Sequence, residues 1–201
     1  MKYIIGIDEA GRGPLAGPVS VGVVRLPVDS GTGQVYPELV ERVIGAKDSK
    51  QMTPLARERL YESMCMLRTQ GALDFAVAFS PADMIDREGI VPAVSSALSC
   101  ALEGLRLDPD QCDVRLDGGL RAPEHFKNQT TIIRGDQTEL AISLASIAAK
   151  VERDRIMCTL AEQFPEYKLE IHKGYGTALH RRLIKEIGLS PIHRVSFCTR
   201  I

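Results

Sequence analysis

An α/β fold is the architecture this sequence predicts, and three observations predict it. Five short runs have the length and apolar content of strands, at residues 3–7, 19–26, 73–79, 112–116 and 130–133. Stretches with apolar residues at helical spacing fall among them, the longest at about 138–163. Three of the five runs close on an acid with glycine close by: Asp8, Asp117 and Asp136.

The first run, Tyr3-Ile4-Ile5-Gly6-Ile7, stops at Asp8-Glu9 and opens into Ala10-Gly11-Arg12-Gly13-Pro14. Two acids at the end of a buried strand cost desolvation energy unless something positive sits beside them. Val19–Leu26 is a second strand, antiparallel to the first, and residues 27–36 are a Pro-, Gly- and Ser-rich loop. Thr53-Pro54 starts a helix, with Thr as N-cap and Pro at the first position, and Leu60, Met64 and Leu67 form its stripe. Leu73–Phe79 is a third strand, and Ser80-Pro81 is expected to start a short helix in the same way. Val94, Leu98, Ala101 and Leu105 give a helix over 91–105. Cys112–Leu116 leads into Asp117-Gly118-Gly119, and Thr130–Ile133 into Gly135-Asp136. The long helix carries Leu140, Leu144, Ile147, Val151 and Cys158 on one face and stops at Pro165. A last helix starts at Thr177, carries Leu179, Leu183 and Ile187, and ends at Gly188.

With 201 residues, 44% of them hydrophobic and 25% charged, the chain suits one soluble domain. It has no apolar run of 18 residues, so no membrane-spanning helix is expected, and it begins on a strand rather than a signal peptide. Cys65, Cys100, Cys112, Cys158 and Cys198 are scattered and odd in number, which reads as reduced core thiols in a cytoplasmic protein. Net charge is −1, but seven Lys/Arg against Glu170 and Glu186 make residues 168–201 locally +5 and leave −6 for the rest. That separation fits a protein that grips a polyanion in one place and cuts it in another.

Strand ends on one rim of a sheet can bring acids within a few ångströms. Asp8, Glu9, Asp117 and Asp136, with no histidine or thiol among them, form a hard-oxygen set that favours Mg²⁺ or Mn²⁺. Such a set would hold two ions roughly 3.5–4 Å apart for in-line phosphoryl displacement. Asp154 is a further acid on the long helix, but Arg153 and Arg155 flank it and favour a structural ion pair. His125, His172, His180 and His193 show no ligand spacing to one another.

Asp8-Glu9-Ala10-Gly11-Arg12-Gly13-Pro14-Leu15-Ala16-Gly17-Pro18 resembles the N-terminal signature of the ribonuclease HII (type 2 ribonuclease H) family. Leu116-Asp117-Gly118, Arg134-Gly135-Asp136, the segment 142–154, His172–Thr177 and His193–Phe197 resemble its later motifs, in order. The resemblance implies a ribonuclease H-like mixed five-stranded sheet flanked by helices, in a single catalytic domain over 1–201. Residues from about 165 would form its basic, helical, substrate-binding part. It implies an endonuclease acting on RNA–DNA hybrids and on ribonucleotide-containing duplex DNA, with Asp8, Glu9, Asp117 and Asp136 as metal ligands. Gly11-Arg12-Gly13 resembles the loop that contacts the 2′-hydroxyl, and Tyr175 the tyrosine that stacks on the next sugar. Ser49 and Lys50 resemble phosphate contacts to the DNA strand. A monomer is the expected state. Two other readings stay open on the residues: a phosphatase sharing the acidic strand ends, and a nucleic-acid-binding module without activity. The first does not need the basic C-terminal region. The second gains nothing from clustered acids near phosphates.

Overall fold

The computed structural model describes residues 2–43 and 52–201. Strands β1 (Tyr3–Ala10), β2 (Val19–Pro27), β3 (Asp74–Ser80), β4 (Cys112–Asp117) and β5 (Gln129–Ile132) form one sheet in the order β3-β2-β1-β4-β5. β1 pairs antiparallel with β2 and parallel with β4, β2 antiparallel with β3, and β4 parallel with β5, so the sheet is mixed as expected. In chain order the helices are α1 (Pro37–Arg42), α2 (Pro54–Thr69), α3 (Ala82–Glu88), α4 (Ile90–Gly104), α5 (Gly135–Thr138), α6 (Leu140–Gln163), α7 (Leu169–His172) and α8 (Ala178–Ile187).

The sheet separates two cores. On one face Ile5, Ile7, Val21 and Val23 pack with Val94, Leu98 and Ala101 of α4. On the other, Ile4, Val24 and Leu26 pack with Leu144, Ile147 and Ala148 of α6 and Met64 and Leu67 of α2. Each fully buried Leu or Ile contributes roughly 1.5–3 kcal/mol by leaving water. β1 and β2 are therefore apolar on both faces, which explains their unbroken Ile and Val runs. A third, smaller cluster joins Leu15 and Ala16, in the loop after β1, to Met157, Tyr167, Leu169 and Ile184. It seats the C-terminal segment directly against that loop.

Several expectations are corrected. β1 continues through Asp8 and Glu9 to Ala10, because β2 goes on pairing with both acids, at Gly22 and Val21. Thr53 caps α2 by accepting from the Ala56 N–H, but Ser80 caps nothing. It is the last residue of β3, and its hydroxyl donates inward to the Ala93 carbonyl at 2.7 Å. α1 has no counterpart among the predicted helices. The long helix begins at Leu140, and the acid after β5 sits in the separate turn α5. All five cysteines are free, but only Cys112 is buried, and Cys158 is exposed rather than on the packed face of α6. α8 buries His180 and Ile184, while Ile187 is exposed, so its inward face is rotated from the one the leucines suggested. Among the described residues no helix is long and apolar enough to cross a membrane.

Candidate active site

Register places the acids. Ile7 of β1 lies opposite Leu116 of the parallel β4, so the next residues, Asp8 and Asp117, stand side by side where that parallel pairing ends. Asp117 Oδ1 accepts the Gly135 N–H at 2.7 Å, which ties this rim to the turn carrying Asp136. That turn is entered through Arg134 in the left-handed conformation (φ 56°), and Asp136 is fully buried. Asp8 also accepts a hydrogen bond from the Ser146 hydroxyl of α6. α6 comes this close because two strand residues lack a side chain. A Cβ on Gly6 would stand 2.0 Å from the Ala141 carbonyl carbon, and one on Gly22 2.3 Å from the Ala145 oxygen.

The rim is electrostatically unbalanced. Asp8 is pushed up to about 8, first by burial and then by the charge of Glu9, with Asp117 adding to it; Ser146 and the Glu9 N–H oppose the shift. Burial likewise raises Glu9, against the pull of Arg12, whose Nη1 lies 3.1 Å from Glu9 Oε1. Glu9 Oε2 is buried with no hydrogen-bond partner among the described residues. Buried like charges of this kind fit a hard cation, which would reverse each of these penalties. The charges of Glu9 and Asp117 both raise Asp8, and the turn that carries Asp136 is tied to Asp117 through Gly135. Among the described residues no three His, Cys, Asp or Glu side chains converge as a finished metal cage.

The two glycines of Gly11-Arg12-Gly13 differ. Gly11 has φ 89°, and a Cβ there would stand 2.0 Å from Arg153 Nε, so the fold itself requires glycine. Nothing lies within 4 Å of the corresponding point on Gly13, which faces open space. Tyr175, 41% exposed, is presented beside this loop. Leu15 N–H donates to the Gly174 carbonyl at 2.8 Å, and Gly174 packs on the Ala16 carbonyl where a Cβ would approach to 2.4 Å. Lys150 and Arg153 lie 5.6 and 5.7 Å from the Tyr175 ring centre. Ser49 and Lys50 lie outside the described residues. Asp154 pairs with Lys150 at 2.7 Å, one helical turn back, so it is an ion pair as expected, though not with the flanking arginines.

Sequence reasoning missed the residues that brace this loop. Arg153 and Arg194 are fully buried, and their hydrogen bonds go to main-chain carbonyls of residues 11–18 and to Lys173. Burial lowers the pKa of both, Arg194 to about 9, which leaves Arg194 a cation at neutral pH. Both lie in segments already singled out, but an arginine in a sequence reads as surface charge. Arg194 therefore does not belong to the basic surface that the C-terminal charge count suggests. Ser146 had a signal, as one of two hydroxyls, with Ser143, in the otherwise apolar stretch 140–149.

His172, His180 and His193 form a buried trio. Their partners assign the protons: the Ser190 N–H donates to His193 Nδ1, so His193 donates from Nε2 to His180 Nε2 at 3.1 Å. His180 then donates from Nδ1 to the Tyr175 carbonyl at 3.0 Å. Burial lowers all three, and His180 falls to about 4.

Residues 5–200 match the family model described as Ribonuclease HII. A ribonuclease HII of Chloroflexus aurantiacus is 44% identical over 196 residues, covering 96% of this chain and 85% of that one. The ribonuclease H2 structure from Pyrococcus horikoshii aligns with a TM-score of 0.70 and 28% identity, over 98% of this chain and 95% of that one. The RNase HII of Archaeoglobus fulgidus, solved in complex with PCNA, gives a TM-score of 0.74 at 22% identity, with 98% and 95% covered.

Proposed function

The chain belongs to the ribonuclease HII family and is a ribonuclease H, a phosphodiester hydrolase, and on that premise we propose its substrates and chemistry. It is an endonuclease that hydrolyses RNA in RNA–DNA hybrids and cuts on the 5′ side of single ribonucleotides in duplex DNA. The products carry 3′-hydroxyl and 5′-phosphate ends. One observation carries this reading: Asp8, buried and pushed up to about 8, sits beside Asp117 on the adjacent parallel strand, next to a loop with an open face at Gly13.

Asp8, Glu9, Asp117 and Asp136 would hold two divalent cations, Mg²⁺ or Mn²⁺, and act as ligands in their ionised form. When bound, such cations lower the pKa of water and neutralise charge on the phosphoryl and departing oxygens. The chain's remaining residues position substrate. Arg12, exposed beside Glu9, offers a guanidinium to a backbone phosphate. The main chain of Gly11-Arg12-Gly13 reads the 2′-hydroxyl, the group by which a ribonucleotide differs from its neighbours. Tyr175, held from below by Lys150 and Arg153, stacks its exposed face on the next sugar. Residues from about 165 to 201 bind the duplex, and Ser49 and Lys50 contact the DNA strand. The setting is a cytoplasmic monomer serving ribonucleotide excision repair.

The test is cleavage of a labelled duplex with one ribonucleotide, beside an all-DNA control and a long RNA–DNA hybrid. A single cut 5′ to the ribonucleotide, lost with chelator, is the expected result. Cutting of the hybrid alone would overturn the account of the loop, and turnover in excess chelator would overturn the role of the acids.

A further inference from the structure

The His193-Arg194-Val195-Ser196-Phe197 segment has no part in the chemistry above, yet it delivers a fully buried arginine to the back of the substrate loop. Arg194 Nη2 donates to the Gly11 carbonyl at 2.8 Å, Nη1 to the Arg12 carbonyl at 2.9 Å and Nε to the Gly17 carbonyl at 2.9 Å. It forms no ion pair among the described residues. Burying an unpaired cation is expensive, and an apolar side chain would fill the same volume at less cost. What the arginine supplies instead is direction.

In a trans peptide the C=O and the following N–H point opposite ways. A fork that holds the carbonyls of Gly11 and Arg12 inward therefore turns the N–H groups of Arg12 and Gly13 outward. Neither N–H is taken up by another group among the described residues. The position a Cβ would take on Gly13 likewise has nothing within 4 Å. Two adjacent outward donors beside such an open position suit a hydroxyl or phosphate oxygen. Behind the fork, Asp86 at the end of α3 accepts the Val195 N–H at 2.7 Å and the Ser196 N–H at 2.9 Å, which fixes the turn that carries Arg194.

We propose that Arg194 is a positioning residue for ribonucleotide recognition, setting the outward aim of the Arg12 and Gly13 amides through the carbonyls it holds. This rests on the reading of the Gly11–Gly13 loop as the group that contacts the 2′-hydroxyl. A lysine at 194 keeps the charge but cannot hold two successive carbonyls in a rigid fork.

The experiment compares wild type, Arg194→Lys and Asp86→Asn. It measures kcat and KM on a duplex with one ribonucleotide, and the inhibition constant of the same duplex made wholly of DNA. For Arg194→Lys, kcat/KM falls roughly tenfold with KM rising, while the DNA inhibition constant stays within about twofold. Asp86→Asn, which leaves the buried cation in place, gives a smaller loss of the same kind. Unchanged kcat/KM in both variants, or a DNA inhibition constant that rises in step with KM, would overturn the proposal. So would a fall in kcat alone that tracks the unfolded fraction. Failure of the underlying reading looks different: wild type itself then binds the ribonucleotide and all-DNA duplexes equally.

Discussion

Two groups of buried charge sit on either side of the loop after β1, and they are built on opposite rules. On the sheet side, Asp8 is buried beside the half-buried Glu9 and Asp117, and Glu9 Oε2 is buried with no partner among the described residues. On the C-terminal side, Arg153, Arg194 and the histidine trio are buried just as deeply, but main-chain carbonyls, Ser190 and one another satisfy them. A satisfied buried group fixes a shape, whereas an unsatisfied one is prepared for something that arrives. The loop between them inherits one face from each.

The largest effect is expected on the unsatisfied side. Asp8→Asn removes a charge from the metal site and lowers kcat by about a thousandfold or more, with hybrid binding retained. Stability moves the other way. The fold raises the Asp8 pKa to about 8 from its ordinary value, so it favours the neutral form. Stability from this group is full below about pH 4 and is lost as pH rises towards 8. In chelator at pH 8 the variant therefore melts higher than wild type. Retained turnover, or a lower melting temperature there, would erase the contrast between the two regions.

The next test divides the loop itself. Gly11→Ala drives a Cβ into Arg153 at a positive φ and destabilises the protein by about 2 kcal/mol or more. Gly13→Ala meets no protein atom, so its melting temperature stays close to wild type, while cutting at a lone ribonucleotide drops roughly tenfold. Equal destabilisation by the two would mean that the open face at Gly13 is not a contact surface.

That asymmetry also marks how far the sequence could be read. The five strands and the long helix were legible because apolar periodicity is a local signal, as were the acids that follow the apolar runs of β1 and β4. The sharing of Gly6 and Gly22 with α6 was not, since a close approach of backbone depends on what crosses it. Arg194 was misread for the same reason: its charge is visible in a sequence, but its burial against carbonyls 177 and 183 positions away is not. Likewise Asp136 was expected at a strand end and sits in α5, because the left-handed turn at Arg134 has no glycine to announce it.

The smallest effect belongs to the satisfied side and is a pH effect. His180 accepts from His193 and donates to the Tyr175 carbonyl, so its one free nitrogen position is already filled by a donor. Taking up a proton would set two N–H groups against each other, with His172 stacked at 4.2 Å adding a second like charge if it too is protonated. Burial first, and then His172, lowers its pKa to about 4. The sign follows: stability is full above about 6.5, where the unfolded histidine is neutral as well, and is lost as pH falls through about 4. His180→Asn keeps a donor for the Tyr175 carbonyl but has no ring to titrate. Its melting temperature lies a few degrees below wild type at pH 7, and the gap narrows as pH drops from 6.5 to 4.5. A gap that stays constant over that range would show that the trio is not neutral in the fold, and the satisfied side would lose its defining property.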